Sequence, residues 1–243
     1  MNIFDTLIYQ PLFNVLAILY QWLGDFGLAV IALTVLIRLL LYPLAAEAIR
    51  VQKITARLQP KMKEIQEKYK KDKEKQAMLV MELWKQHKIN PISSFLLLLV
   101  QLPVLWGLYR LFWNGFENGA ASMLYGFVPD PGKINPFFLD YVNLSEAFPV
   151  FALAAGVLQF FQTKMMMPAN LPEDKNKPVN QGEKFAKMMQ TQSLYVFPVI
   201  TVLIFWSLPS ALGLYWIAFG GFSIAQQYFL LKKIDKEDGA TAA

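Results

Sequence analysis

The sequence predicts an all-α polytopic membrane protein. Five transmembrane helices surround a hydrophilic groove open to the cytoplasm, with a cytoplasmic helical hairpin and an N-terminal interfacial helix. Three observations lead there. Of the 243 residues 55% are hydrophobic, and a mean hydropathy of +0.33 is too apolar for an ordinary soluble domain. Apolar runs close to the ~20 residues needed to cross a bilayer recur along the chain. The basic residues gather between alternate runs.

Residues 1–26 read as an extracytoplasmic N-terminus. Within them 8–20 are apolar but short, and end at Gln21, Gly24 and Asp25, which suits an amphipathic helix lying in the interface. This stretch lacks the marks of a cleaved signal peptide: it has no basic n-region, carries Asp5 and shows no small-residue cleavage site. The spans follow at 27–46, 92–113, 148–167, 191–208 and 210–231. The fourth is short and contains Pro198; it joins the fifth near Ser207 to Ser210 as a tight hairpin.

Charge sets the orientation. Of the 23 Lys and Arg, all but Arg38, Arg110 and Lys133 lie in 47–90, 164–187 and 232–236. Residues 1–26 and the loop 114–147 contain only Lys133, against Asp5, Asp25, Glu117, Asp130, Asp140 and Glu146. The positive-inside rule therefore puts 47–90, the loop 168–190 and the tail 232–243 in the cytoplasm, and the N-terminus outside.

The segment 47–90 predicts a helical hairpin. Ile54, Leu58, Met62, Ile65 and Tyr69 form one apolar stripe, with Glu64–Lys68 and Glu67–Lys71 as i,i+4 pairs on the polar side. A second helix over about 74–88 would bury Ala77, Val80, Met81 and Trp84, with the turn in the Lys-rich run 68–75. Asn90-Pro91 would end it, because proline lacks a donor and restricts the residue before it. Its basic face suits anionic lipid, and the hairpin as a whole suits docking of a partner. His87 reads as a surface residue.

Polar side chains inside the spans carry the functional signal. Arg38 interrupts the first apolar run, where a charge costs about 2.5–3.5 kcal/mol on insertion scales. Thr34 lies one turn above it on the same face. Gln101 falls in the middle of span two. Gln159, Gln162 and Thr163 share a face in the inner half of span three, and Ser223, Gln226 and Gln227 lie towards the cytoplasmic end of span five. The spans contain no acidic residue to neutralise Arg38. One hydrated cavity, closed outside and open to the cytoplasm, explains all of these together. Snorkelling of Arg38 to the inner headgroups is the alternative, and eight residues separate it from Ala46. Arg110 is close enough to the outer interface to snorkel. Phe160, Phe161 and Met165 to Met167 cluster at the inner end of span three, and Tyr215 and Trp216 near the outer end of span five, as an aromatic belt or ordinary packing would.

Several chemistries are excluded. The chain has no cysteine and one histidine, so disulfides, thiolate metal sites and two-histidine sites are ruled out. It has no Gly-rich phosphate loop, no HExxH and no carboxylate pair within the spans. The expectation is a protein that is not an enzyme, uses no cofactor or metal and has no nucleic-acid specificity.

Taken together, GLAVIALTVLIRLLLYPL (27–44), LQPKMKEIQEKYKKDKEKQ (58–76), KINPISSFLLLLVQLPVLWGLY (88–109) and FPVITVLIFWSLPSALGLYWIAFGGFSIAQQYF (197–229) resemble the YidC membrane protein insertase family. The resemblance covers about 7–233 and implies five core spans around a groove closed outside. It implies that Arg38 is the groove arginine, and that Thr34, Tyr215 and Trp216 fall where family members contact substrate. Gln101 falls on the Gln-x-Pro of span two, and the polar groove residue of span three is one of Gln159, Gln162 and Thr163. The large extracytoplasmic domain of many Gram-negative members and a long basic C-terminal tail are not seen, which points to the short form.

The function so implied is insertion and folding of integral membrane proteins in the bacterial plasma membrane, without nucleotide hydrolysis. Arg38 would receive the hydrophilic segment of a nascent membrane protein, with the ribosome, the Sec translocon and membrane lipids as further partners. The competing readings are a small-solute or anion transporter with Arg38 as the binding cation, opposed by the absence of visible internal repeats and by the large basic hairpin, and a chaperone acting after another machine has inserted the client.

Overall fold

The structure is a computed structural model describing residues 3–90, 92–114, 123–167 and 188–241. The expected loop 168–190 therefore lies almost wholly outside the described residues, as does Pro91. The described fold is helical apart from one two-residue antiparallel ladder, β1 (Phe137–Phe138) with β2 (Val142–Asn143).

A π-helical turn, Asp5–Tyr9, leads into α1, Gln10–Leu23. Gly24 ends α1 at φ +68°, a left-handed cap that glycine adopts without penalty. Asp25 then caps α2, Phe26–Leu40, accepting from Leu28 N at 2.7 Å. After the break at Leu41, α3 (Tyr42–Lys68) leaves α2 at 66°. The expected first span, 27–46, thus runs across a kink, and its straight part ends at Leu40. Pro43 in the first turn of α3 explains the break, since it donates no hydrogen bond back to α2.

The hairpin is completed by α4, Lys73–Gln86, capped by Asp72 on Lys75 N at 3.0 Å. It ends before Asn90: Lys88 sits at φ +52°, Lys88 N donates to Lys85 O and Ile89 N to Trp84 O. This is a Schellman closure with Ile89 folded back on the helix, so backbone geometry ends α4 ahead of the proline. The small core of the hairpin is Val51, Leu58, Leu83 and Ile89, with Ile54, Met62, Ile65 and Trp84 at its edge. Ala77 and Met81, expected inside, are exposed, and Leu83 takes the buried place. The expected Glu64–Lys68 and Glu67–Lys71 pairs do not close. His87 is exposed.

Four further α-helices are described. These are α5 (Ile92–Asn114), α6 (Pro149–Met166), α7 (Phe197–Phe205) and α8 (Ser210–Thr241). A π-helical turn, Gln192–Val196, precedes α7. Both π-helical turns stop two residues before a proline, Pro11 and Pro198. A widened turn relieves the clash and missing donor that a proline brings to a helix. The long α8 is the spine, packing on α2, α3, α5, α6 and α7. Close approach of α6 to α7 needs Gly156, where a Cβ would fall 2.4 Å from Val202 and 3.1 Å from the Pro198 carbonyl.

By length and apolar composition, one described helix, 188–205, suffices to cross a bilayer; α2 and α3 would make a second only as a bent pair. The apolar part of α2 stops at the kink, and α6 and α8 carry polar side chains through their later turns, so the composition of each is diluted.

One end of the bundle is capped. The loop 123–146 is pinned to α1 by Asn14, only 2% exposed, which donates to Met123 O at 2.9 Å and accepts from Tyr125 N at 2.7 Å. Asp25 accepts from Leu139 N, Tyr20 from Asn135 N, and Ser210 donates to Asn143 O. The hairpin lies at the other end, where Asp235 of α8 meets Arg57 at 2.5 Å and Lys53 at 3.5 Å.

Candidate functional site: a buried arginine where the apolar core stops

The main core gathers beneath the cap. It runs down α2 as far as Leu33, down α6 to Ala155 and down α8 to Tyr215; on α5 and α7, which run the other way, it reaches Leu108 and Phe205. Beyond that level the buried side chains turn polar: Thr34 and Arg38 on α2, Thr201 on α7, and Ser223, Gln226 and Gln227 on α8. A buried polar group is costly without a partner, so each contact here is informative.

Arg38 is 5% exposed and sits in the last turn of α2. The free carbonyls at that end give a partial negative charge that favours a cation. No carboxylate pairs with it among the described residues, and its Nε is buried without a hydrogen-bond partner. Its guanidinium lies against the ring of Phe219, Cζ 3.8 Å from the centroid, with Phe222 at 5.9 Å. Thr34, 1% exposed, donates to Val30 O at 2.7 Å, so its hydroxyl is satisfied within its own helix.

Two hydrogen-bond links tie two more of the expected residues, Gln101 and Gln159, to Tyr215 and Trp216 on α8. Gln101 donates to the Tyr215 hydroxyl at 2.5 Å. Gln159 accepts from Trp216 Nε1 at 3.3 Å and from Thr201 at 2.7 Å. Trp216 stacks on Phe219 with centroids 5.7 Å apart, and Tyr215 lies 6.0 Å from the same ring. The column Gln159–Trp216–Phe219–Arg38 therefore crosses from α6 through α8 to α2. Gln162 and Thr163, partly buried, make no hydrogen bond among the described residues and stand apart from this column.

Sequence reasoning missed Phe219 and Phe222. The signal was present as helical spacing: 215, 219, 222, 223 and 226 lie on one face of α8. In that stripe Ser223 donates to Phe219 O and Gln226 to the carbonyl of Tyr42, beside the kink, at 3.4 Å, while Gln227 Oε1 is buried without a partner. Arg110 has neighbours that the sequence did not reveal. It pairs with Asp5 and lies 5.0 Å from the Tyr9 ring. The described residues hold no cluster of three or more His, Cys, Asp or Glu suited to a metal. The arrangement offers an unpaired cation, on an aromatic bed, at the boundary between a dry core and a polar region.

The model of the 60Kd inner membrane protein family matches residues 18–237. A membrane protein insertase YidC from Citrifermentans bemidjiense is 33% identical over 229 residues, 93% of this chain and 37% of that protein. One from Wolinella succinogenes is 33% identical over 241 residues, 99% of this chain and 40% of that protein. One from Fusobacterium nucleatum is 31% identical over 213 residues, 88% of this chain and 89% of that protein. A crystal structure of an active YidC insertase with its first transmembrane domain resolved shares the fold, with a TM-score of 0.59 at 23% identity, over 94% of this chain and 47% of that one. The chain thus spans less than half the length of several of the relatives it matches.

Proposed function

This chain belongs to the YidC membrane protein insertase family of bacterial membrane proteins, and from that premise we propose that it inserts integral membrane proteins and helps them fold. The observation that carries the reading is Arg38, a cation 5% exposed where the apolar core ends, with no carboxylate partner among the described residues. Retaining such a charge is costly, and an anionic visitor offsets the cost.

In this mechanism the five expected spans enclose a groove open towards the hairpin and closed by the loop 123–146. Arg38 attracts the short acidic or polar segment of a nascent membrane protein. Coulomb attraction is stronger there than in bulk water because the surroundings are less polarisable. Gln101, Gln159, Gln162 and Thr163 line the path and replace part of the water lost by that segment, Trp216 contacts its apolar part, and the buried Thr34 and Tyr215 back the wall beside Arg38. Burial of the client helix in lipid, worth about 25 cal/mol per Å2, drives release without nucleotide hydrolysis. The hairpin and the tail lie in the cytoplasm and the N-terminus outside. There the basic hairpin meets anionic lipid, the ribosome and the Sec translocon.

The test is reconstitution of the purified chain in liposomes with a single-span client whose translocated segment is acidic, read by protease protection. Arg38→Ala and Arg38→Glu lower insertion, and Arg38→Lys retains most of it if charge rather than fork geometry matters. Full insertion by correctly folded Arg38→Ala protein overturns the role given to this residue.

A further inference from the structure

What faces Arg38 is an aromatic ring rather than an acid. With its Cζ 3.8 Å from the Phe219 centroid, the guanidinium lies over the face of that ring. Its N–H donors radiate from its edge, in its own plane. A ring therefore holds the cation without occupying a donor, whereas a resident carboxylate would occupy two and compete with any incoming anion. The Nε is buried without a hydrogen-bond partner, so no resident acceptor occupies that donor.

Phe219 is itself held in place. It stacks on Trp216 with ring planes 28° apart, and Trp216 is tied to Gln159 on α6. Phe222, 5.9 Å from Arg38 Cζ, adds a second ring beside the cation.

We propose that Phe219 is a positioning residue for Arg38: its π face stands in for a counter-ion and turns the guanidinium edge towards the carboxylate of an acidic client segment. The inference rests on the reading of Arg38 as the receiver of that segment. It also assigns a selectivity. Acidic segments depend on the ring, and segments without charge do not.

The experiment replaces Phe219 with mono-, di- and trifluorophenylalanine in the full chain. Fluorination drains the ring face of electron density while nearly preserving its shape, so a packing role alone is left unmoved. Insertion of an acidic client into liposomes falls stepwise, by about fivefold at three fluorines. A client with a neutral translocated segment keeps its rate, and Phe219→Trp restores the acidic client. In an Arg38→Ala background the series is flat. If Arg38→Ala impairs the acidic client but fluorination leaves it unchanged, the inference fails and the groove reading stands. Equal loss for acidic and neutral clients also overturns it. If Arg38→Ala itself costs nothing, both fall.

Discussion

Gln101 donates to the hydroxyl of Tyr215 at 2.5 Å, joining α5 to α8 at the level where the apolar core gives way to polar side chains. Tyr215 is 1% exposed and Gln101 is partly buried, so water does not readily take the place of the tyrosine hydroxyl. Tyr215→Phe leaves the Gln101 amide without its acceptor and lowers stability by about 1–3 kcal/mol. Gln101→Met has a cost of the same kind, and the double variant costs less than the two single ones added. Thermal unfolding of the four proteins in one detergent checks the cycle. Strict additivity would mean that the bond contributes nothing.

Gly27 sits beneath Phe138 of the cap. A Cβ at this position would lie 2.2 Å from Phe138 Cδ2 and 2.8 Å from its Cβ, too close to be absorbed by ring rotation alone. Gly27→Ala therefore displaces the β1–β2 turn from the first turn of α2, at about 1–3 kcal/mol. The expected result is faster proteolysis within 130–146 with little change at the hairpin. A second substitution, Phe138→Ala, makes room and recovers part of the protection.

Asn14 holds the start of the same loop. It donates to Gln10 O and Met123 O and accepts from Tyr125 N, all from a buried position. Asn14→Leu keeps the size but strands the Tyr125 amide and costs about 1–3 kcal/mol. Hydrogen exchange at Tyr125 should rise by at least tenfold, the factor that corresponds to about 1.4 kcal/mol of lost local stability. Unchanged exchange there would show that the loop is held by its other contacts.

Asp235 receives Arg57 and Lys53 and so ties the last turns of α8 to the first helix of the hairpin. The groups are roughly half exposed or less, so the tether is screened by salt and worth at most about 1 kcal/mol. Asp235→Asn should speed hydrogen exchange across 50–60 modestly, and high salt should do the same to the unaltered protein. No further increase is expected when salt is added to the variant.

The elements most legible in the sequence were those governed by local composition. Gly24 and Asp25 marked the break between α1 and α2, and the apolar stripe Ile54, Leu58, Met62 and Ile65 gave the inner face of α3. Features set by more distant or subtler geometry were hidden. Met81 and Leu83 are two residues apart and so lie on nearly opposite faces of the helix, and α4 presents apolar side chains on both. The left-handed Lys88, where a glycine would normally stand, gave no compositional warning of the end of α4. Arg110 looked like an isolated interfacial cation because Asp5 lies far from it in sequence, although the N-terminal turn carries that acid to it.

The sequence by itself determined the helical class, the segregation of basic residues and the anomaly of Arg38, because hydropathy and charge are properties of each residue and its near neighbours. Only the tertiary structure decided what surrounds that arginine. The kink at Leu41 places it in the last turn of α2, and the packing of α8 lays Phe219 against it, with Trp216 and Gln159 behind the ring. Those neighbours come from two helices distant from α2 in the chain, and their meeting depends on how α2, α6 and α8 cross. No local pattern carries that information.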